Sequence, residues 1–254
     1  MNDANLENNW VYGVIPAGAE LKELKRRRDR LPAGVHVVES GDLGAIVGEV
    51  PENTAKATRD QALNHARVLE TAVLDAPVVP FRFGMVVGAN ELSAELLEAR
   101  HDEFAQMLER IRDHVQLTLK VEYEQDEILA EIIEADPVIA QLREQTRGLD
   151  EMETRDARVR LGELLSSAVE QLRQQEAQAI IERLSEFASS YTVGPLESEF
   201  MVLNAAFLVE RRRSRDFDQA TSELAEDQLA RMHFTLLGPM PAYDFVEAGS
   251  TAWA

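Results

Sequence analysis

The chain has 254 residues, and its 45% hydrophobic and 28% charged content is typical of a folded globular protein and excludes a disordered one. Its 46 acidic and 26 basic side chains give a formal net charge of −20, which excludes nucleic acid and anionic membranes as partners favoured by charge. The absence of cysteine excludes disulfides, thiol nucleophiles and thiolate metal sites. The segment Met1–Asn9 lacks the apolar stretch of a secretion signal, and no run approaches the ~18 apolar residues of a membrane span, so we expect a cytoplasmic protein.

The first part of the chain predicts an α+β domain over residues 10–112 with a small mixed or antiparallel sheet. Trp10–Pro16 reads as a strand that ends at a proline. Val35–Glu39 and Ala45–Val50 form a predicted hairpin, with glycines at positive φ in the turn that starts at Gly41.

Three helical segments accompany these strands. Ala19–Arg30 predicts a short basic helix, and its arginines indicate a solvated face rather than a phosphate site because no glycine-rich partner accompanies them. A second helix, capped by Asn53 or Thr54, runs to Val73 with its apolar residues on one stripe. Glu91–Arg112 predicts an amphipathic helix.

The densest apolar run, Val78–Gly88, predicts a buried strand. Within it Arg82 alternates with Phe81 and Phe83, so its guanidinium would point to the opposite face of the sheet. We expect Arg82 to be structural and paired with a carboxylate or main-chain oxygens, the alternative being a ligand or partner contact. His65, beside the apolar stripe of the preceding helix, is more typical of a packed or capping side chain than of a ligand.

The second part, residues 113–247, orders as β-α(α)-β-α-β, close to a ferredoxin-like unit with one strand missing or irregular. Its strands are predicted at Val115–Tyr123, Phe200–Val209 and Met232–Leu237. The predicted helices are Asp126–Ala135, Val138–Arg147, a long helix from about Thr154 to Tyr191, and Phe217–Leu229. The first three form a helical insertion over residues 126–191.

No catalytic constellation is present in the sequence. There is no phosphate loop, no nucleophile elbow and no zinc motif. The histidines lie on different predicted elements, at positions His36, His65, His101, His114 and His233. His101-Asp102-Glu103 indicates a solvated helix turn, and Glu122 with Glu124 lie on the wet face of a strand. We therefore predict no catalytic, cofactor-binding or metal-binding residue.

Several segments in this order resemble a known family, the gas vesicle accessory proteins of the F and L type (GvpF/GvpL). The resemblance is carried by Tyr12–Ala17, Gly41–Val47, His65–Glu70, Val79–Gly84, Leu119–Tyr123, Ala206–Val209 and Gly238–Val246. The chain departs from the family pattern at Met240 and Ala242, where tryptophan and proline are expected, and at Phe81, where methionine is common.

The resemblance implies an α+β protein of two domains, the first at 10–112 and a modified ferredoxin-like one with long helices at 113–247. Residues 1–9 are then a disordered N-terminus and 248–254 a tail. It also implies a non-enzymatic accessory protein of the cytoplasm and the gas vesicle, with a minor structural or chaperone-like role in assembly. The expected partners are the hydrophobic shell protein (GvpA type), which it would keep from aggregating during nucleation, and other accessory proteins.

One alternative comes from the enzyme class. A small-molecule-binding or hydrolytic α+β protein would place Arg82 and His65 together in a pocket between sheet and helix. Convergence of these two side chains at hydrogen-bond distance would favour that alternative.

Overall fold

The structure, a computed structural model, describes residues 8–51, 58–150 and 152–246 and combines helices with two sheets, which is the predicted α+β class. The strands are β1 (Asn8–Pro16), β2 (His36–Ser40), β3 (Leu43–Glu49), β4 (Val79–Pro80), β5 (Val86–Gly88), β6 (His114–Tyr123), β7 (Ser190–Val193), β8 (Met201–Glu210) and β9 (Met232–Met240). The helices are α1 (Lys22–Arg26), α2 (Arg59–Ala72), α3 (Ala89–Glu91), α4 (His101–Arg110), α5 (Gln125–Ala135), α6 (Pro137–Thr146), α7 (Arg155–Ser185) and α8 (Ser214–Asp227). Of the predicted disordered N-terminus 1–9, residues 1–7 lie outside the described residues, as does the tail 248–254, and Asn8 and Asn9 belong to β1.

The first sheet has the order β2-β3-β1-β4, with β5 also paired to β1. The predicted hairpin of β2 and β3 is confirmed, and Gly41 in its turn has φ 61°, which a residue without Cβ adopts at little cost. Because β1 has neighbours along both of its edges and buried side chains on both faces, it is the central strand of this sheet.

The predicted strand Val78–Gly88 is wrong as a continuous element. Its two ends, β4 and β5, both pair antiparallel with β1, but the segment between them leaves the ladder. Gly13 pairs with Pro80 and Trp10 pairs with Val86. Three residues of progress along β1 therefore correspond to six residues in the paired segment, so the segment cannot follow β1 continuously. Pro80 has no N–H to donate and Gly84 has φ 100°, so the chain leaves the ladder at a proline and turns at a glycine.

Apolar side chains on the two faces of β1 contribute to two clusters. One cluster joins Trp10 and Tyr12 to the buried stripe of α2, which includes Val68 and Leu69. The other cluster joins the opposite face to the residues after β5, which include Leu92, Leu96, Leu97, Phe104 and Leu108. The sheet therefore lies between two helical layers.

The helices of this part differ from their predicted limits. The helix predicted over Glu91–Arg112 is divided: Leu92–Glu98 is a π-helix, in which Ala99 N donates to Ala94 O at 3.2 Å, and α4 follows. The predicted basic helix Ala19–Arg30 is reduced to α1 and a 3₁₀ turn. The predicted caps of the next helix lie outside the described residues, and Thr58 caps α2 in a capping box with Gln61.

The second sheet has the order β7-β8-β6-β9. Helices α5, α6 and α7 connect β6 to β7, and α8 connects β8 to β9, which makes a β-α-β-β-α-β unit of the ferredoxin-like kind. The sequence pattern predicts that one strand of this unit is missing or irregular, and the four-residue strand β7 occupies that place. The predicted helix to Tyr191 is wrong at its end, because α7 stops at Ser185 and Tyr191 lies in β7.

The described chain forms two compact units. Unit 1 comprises residues 8–117, 208–211 and 237–246, and unit 2 comprises 118–207 and 212–236. The domain limits 10–112 and 113–247 stay a prediction, since the units are defined by contacts and not by independent folding.

Candidate functional site

His65 of α2 is buried, with 4% of its surface exposed, and both of its ring nitrogens are occupied. Trp10 Nε1 donates to His65 Nδ1 at 3.1 Å, so Nδ1 is the acceptor and the proton lies on Nε2. That Nε2 donates to the carbonyl of Phe81 at 3.1 Å. Burial lowers the pKa of His65, which favours the neutral ring.

Aromatic rings surround this histidine. The centroids of the His65 and Tyr12 rings are 5.1 Å apart, and Phe83 meets His65 edge-on at 5.8 Å. The prediction of a packed histidine is confirmed. Because neither nitrogen is left for a substrate or a metal ion in this arrangement, His65 contributes packing and two hydrogen bonds.

Arg82 lies in the segment that interrupts the predicted strand, and its side chain is exposed. Among the described residues no carboxylate and no main-chain oxygen pairs with it, so the predicted structural pairing is wrong. His65 lines a cavity, and Arg82 is not among the residues that line it. Arg82 and His65 therefore do not form the pocket that the enzyme alternative requires.

His101 and the arginines at the end of α1, which were singled out in the sequence, are solvated. His101 Nε2 contacts Asp42 Oδ1 at 2.6 Å and Nδ1 contacts Asp102 Oδ1 at 3.0 Å, and the two carboxylates, Asp102 first, raise the pKa of this exposed histidine. Arg26 and Arg27 pair with Glu23 on the exposed face of α1. No group of three or more histidine and acidic side chains able to hold a metal ion occurs within the described ranges.

Three exposed apolar side chains of unit 2 lie in and just after the connection from α6 to α7. Met152 is 82% exposed, Leu149 53% and Val159 55%. We call Leu149, Met152 and Val159 the insertion tip, since they lie in the helical insertion between β6 and β7. An exposed methionine and leucine on one short connection give a partner an apolar contact point.

The connection that carries the insertion tip is held by hydrogen bonds. Arg158 Nε donates to Thr154 Oγ1 at 2.9 Å, and Arg158 Nη2 donates to the carbonyl of Thr146 at 3.1 Å. Thr154 Oγ1 in turn donates to the carbonyl of Asp150 at 2.8 Å. These bonds join Arg158 and Thr154 to the backbone carbonyls of Thr146 and Asp150, which are described residues on either side of Leu149.

Charged side chains border the insertion tip along α7. A shallow cavity of about 670 Å³ is lined by Arg155, Asp156, Val159, Arg160, Glu163 and Leu164. An apolar centre with a charged border of both signs is the usual composition of a protein-binding surface.

Sequence reasoning missed the insertion tip. Helical stripes are recognised by their period, and Leu149 and Met152 lie in a connection that has none. The only available signal was a leucine and a methionine beside Gly148, between two predicted helices, where polar residues are usual.

None of the described helices combines the length and the apolar character that crossing a membrane requires. The model of the family "Gas vesicle synthesis protein GvpL/GvpF" matches residues 8–247. Among curated proteins, the chain is 31% identical over 243 residues to gas vesicle protein F of a Streptomyces species, covering 94% of this chain and 100% of that protein. It is 23% identical over 217 residues to gas vesicle protein F of Dolichospermum flosaquae, covering 83% and 85%.

Two solved structures share the fold. The crystal structure of the gas vesicle protein GvpF from an Anabaena species superposes with a TM-score of 0.77 at 18% identity, covering 96% of this chain and 99% of that one. That of GvpF from Microcystis aeruginosa gives a TM-score of 0.74 at 18% identity, covering 94% and 99%. With the family match over nearly the whole described chain, these findings show that the protein belongs to the GvpL/GvpF family of gas vesicle proteins.

Proposed function

We propose that this gas vesicle accessory protein acts without catalysis, by binding the hydrophobic gas vesicle shell protein (GvpA type). It keeps that protein from aggregating in the cytoplasm and assists vesicle nucleation and assembly as a minor component, together with other accessory proteins. Membership of the family supports the accessory role. The insertion tip is the observation that carries the binding role.

The insertion tip suits an apolar partner because its three side chains are exposed in the free protein and would be buried in the complex. Burying an apolar patch of about 600 Å² contributes roughly 15 kcal/mol at about 25 cal/mol per Å², and association and ordering costs offset about half of it. We therefore expect an affinity on the order of micromolar. The net charge of −20 would keep a complex with an apolar shell protein in solution.

The arrangement around His65 supports a binding role rather than catalysis. A general base needs a free nitrogen or oxygen within reach of a substrate proton, and both nitrogens of His65 bond to protein groups. The family is a gas vesicle family and not an enzyme family.

Co-expression with a gas vesicle shell protein tests the proposal. The tagged chain should recover the shell protein and raise its soluble fraction. The double variant Leu149→Ser/Met152→Ser should lower both by about tenfold, because it removes two of the three apolar side chains of the insertion tip. Leu229→Ser is the matched control, since Leu229 is 81% exposed and lies outside the insertion tip.

Each result has one interpretation. Loss of the shell protein in the double variant, with recovery by Leu229→Ser, supports binding through the insertion tip. Equal recovery by the wild-type chain and the double variant, with unchanged melting temperatures, would contradict it. Failure of the wild-type chain to recover the shell protein would overturn the proposed function.

A further inference from the structure

A cavity of about 310 Å³ lies in unit 1 between β1, the end of β3 and the first turns of α2. Trp10 and Tyr12 of β1 contribute its aromatic wall, and Pro32 and Pro51 are part of its apolar border. Its polar lining includes Glu49 in addition to side chains of α2. This cavity takes no part in the proposed binding of the shell protein.

The hydroxyl of Tyr12 is the first polar group of this cavity. Only 3% of the surface of Tyr12 is exposed, and its hydroxyl has no hydrogen-bond partner in the described part of the chain. Burial raises the pKa of Tyr12 to about 12, so the hydroxyl is neutral at physiological pH and can donate and accept. A hydroxyl that belongs to the lining of a cavity and has no protein partner is available to a ligand that can donate to it or accept from it.

Glu49 provides the charge of the cavity. Its side chain is exposed, and within the described ranges no lysine, arginine or histidine pairs with it. Neither lysine nor arginine is among the lining residues that the structure describes, and the lowered pKa of His65 favours its neutral ring. An anion would be repelled by Glu49, whereas a cation would find a carboxylate without a counter-charge.

Two amide oxygens complete the polar lining. Gln61 Oε1 accepts from the Thr58 backbone N–H at 3.0 Å, and Asn64 Oδ1 accepts from Arg67 Nη1 at 3.2 Å. Each of these oxygens keeps one lone pair. Arg67 reaches Asn64 but does not line the cavity. An ammonium group, which has three donors, matches a lining that includes a carboxylate and two side-chain amides.

We infer that this cavity binds an ammonium or guanidinium group carried on an aliphatic stem. The stem would lie against Pro32 and Pro51, and the cation would approach Glu49 and the hydroxyl of Tyr12. Two sources have this chemistry, a lysine or arginine side chain of a partner protein and a free polyamine. A cavity of this size admits a single side chain of a partner protein, which would fix the position at which the partner binds.

Trp10 lines the cavity, so its fluorescence should change when a ligand binds there. The chain contains two tryptophans, so Trp253→Phe leaves Trp10 as the single tryptophan fluorophore. Titration with N-acetyl-lysine amide and N-acetyl-arginine amide should give a saturable change with a Kd on the order of 1 mM. The neutral N-acetyl-norleucine amide, which has the same stem without a charge, should bind at least about fivefold more weakly.

Variants assign the binding to the cavity. Glu49→Gln should weaken the lysine and arginine probes at least about fivefold, because it removes the charge-assisted hydrogen bond. Tyr12→Phe should weaken them by a smaller factor, and its melting temperature shows whether the variant is folded. Glu95→Gln is the matched control, since Glu95 is an exposed carboxylate of unit 1 that does not line the cavity.

Putrescine as a further probe separates the two sources. Tighter binding of putrescine than of the blocked amino acids assigns the cavity to free polyamines, and the reverse order assigns it to a side chain of a partner. The inference is overturned if neither cation gives a saturable change. It is also overturned if the norleucine probe binds equally well or if Glu49→Gln has the same effect as Glu95→Gln.

Discussion

Arg211 Nη1 donates to the carbonyl of Val73 at 2.6 Å, although 138 residues separate the two in the chain. Val73 is the C-terminal cap of α2, where carbonyl groups lack helical partners. The second nitrogen, Nη2, donates to the carbonyl of Ala76 at 3.2 Å. A cation at the end of a helix also interacts favourably with the helix dipole.

Arg211→Met should lower the free energy of unfolding by about 2 kcal/mol, because two carbonyls lose hydrogen bonds to a charged group. Urea denaturation followed by circular dichroism measures the change. Arg215→Met is the control, since the exposed Arg215 makes no contact of this kind with the described residues and should change stability by less than about 0.5 kcal/mol. Equal effects of the two variants would show that Arg211 does not stabilise α2.

Gly13 of β1 and Gly162 of α7 should respond to alanine in opposite directions. A Cβ at Gly13 would lie 2.7 Å from the carbonyl oxygen of Val79, which is backbone and cannot move aside cheaply. Gly13→Ala should therefore destabilise the protein by about 2 kcal/mol. A Cβ at Gly162 meets no atom of the described chain within 4 Å, so Gly162→Ala should stabilise α7 by about 0.5–1 kcal/mol.

Thermal melting of both glycine variants compares them directly. A lower melting temperature for Gly13→Ala and a higher one for Gly162→Ala is the expected pair of shifts. Two shifts of the same sign would contradict the packing described around Gly13.

Strands with a clear alternation could be predicted from the sequence, and those that break it could not. The hairpin of β2 and β3 and the strand β6 follow from alternating apolar residues and turn glycines. The interruption at Arg82 could not be predicted, because Phe81 and Met85 are apolar in a loop as they would be in a strand. Their hydrogen bonds depend on β1: Phe81 N donates to Tyr12 O, and Val11 N donates to Met85 O.

Sites built from distant segments were also beyond sequence reasoning. The family could be predicted from the order of several short motifs. The cavity beside Trp10 could not, because its lining comes from separate segments between residues 10 and 65, and no single segment carries a recognisable signal. Glu49, Gln61 and Tyr12 line the same cavity because of the way α2 packs on the sheet.

His65 should make the stability of the protein fall in mild acid. Burial lowers its pKa in the folded state, so below its ordinary value of about 6.5 the unfolded chain binds a proton that the folded chain does not. Stability from this group is present above pH ~6.5 and is lost as the pH falls toward the lowered pKa. The slope from one proton is at most about 1.4 kcal/mol per pH unit.

Urea denaturation between pH 7.5 and pH 5 measures this slope. His65→Gln removes the titrating ring and should flatten the pH dependence relative to the wild-type chain, although it lowers stability at pH 7.5. A variant with the wild-type slope would assign the acid sensitivity to other groups.

Arg158 should control the mobility of the connection that carries the insertion tip. Arg158→Gln removes the charged donor to Thr146 and Thr154, which costs about 1.4 kcal/mol of local stability. Backbone amides of the connection between α6 and α7 should then exchange with deuterium about tenfold faster. Arg160→Gln on the same helix is the control, and faster exchange in both variants would argue against this role.

Binding of the shell protein should survive moderate salt. The proposed driving force is apolar burial, which screening does not weaken and which salt can strengthen. Recovery of the shell protein by the tagged chain should therefore be unchanged or higher at about 0.3 M salt than at low salt. Binding that collapses over this range would mean that charge pairing dominates, and the role of the insertion tip would have to be abandoned.

Unit 1 combines three separate stretches of the chain, which determines when it can finish folding during translation. Ala242 and Val246 belong to the same apolar cluster as Val11, and the backbone N–H of Asp244 donates to Gln116 Oε1 at 3.0 Å. Chains usually fold from the N-terminus while they are being made. Here the chain must be translated as far as Val246 before the apolar cluster that contains Val11 is complete, so unit 1 is finished only after all of unit 2 has been made.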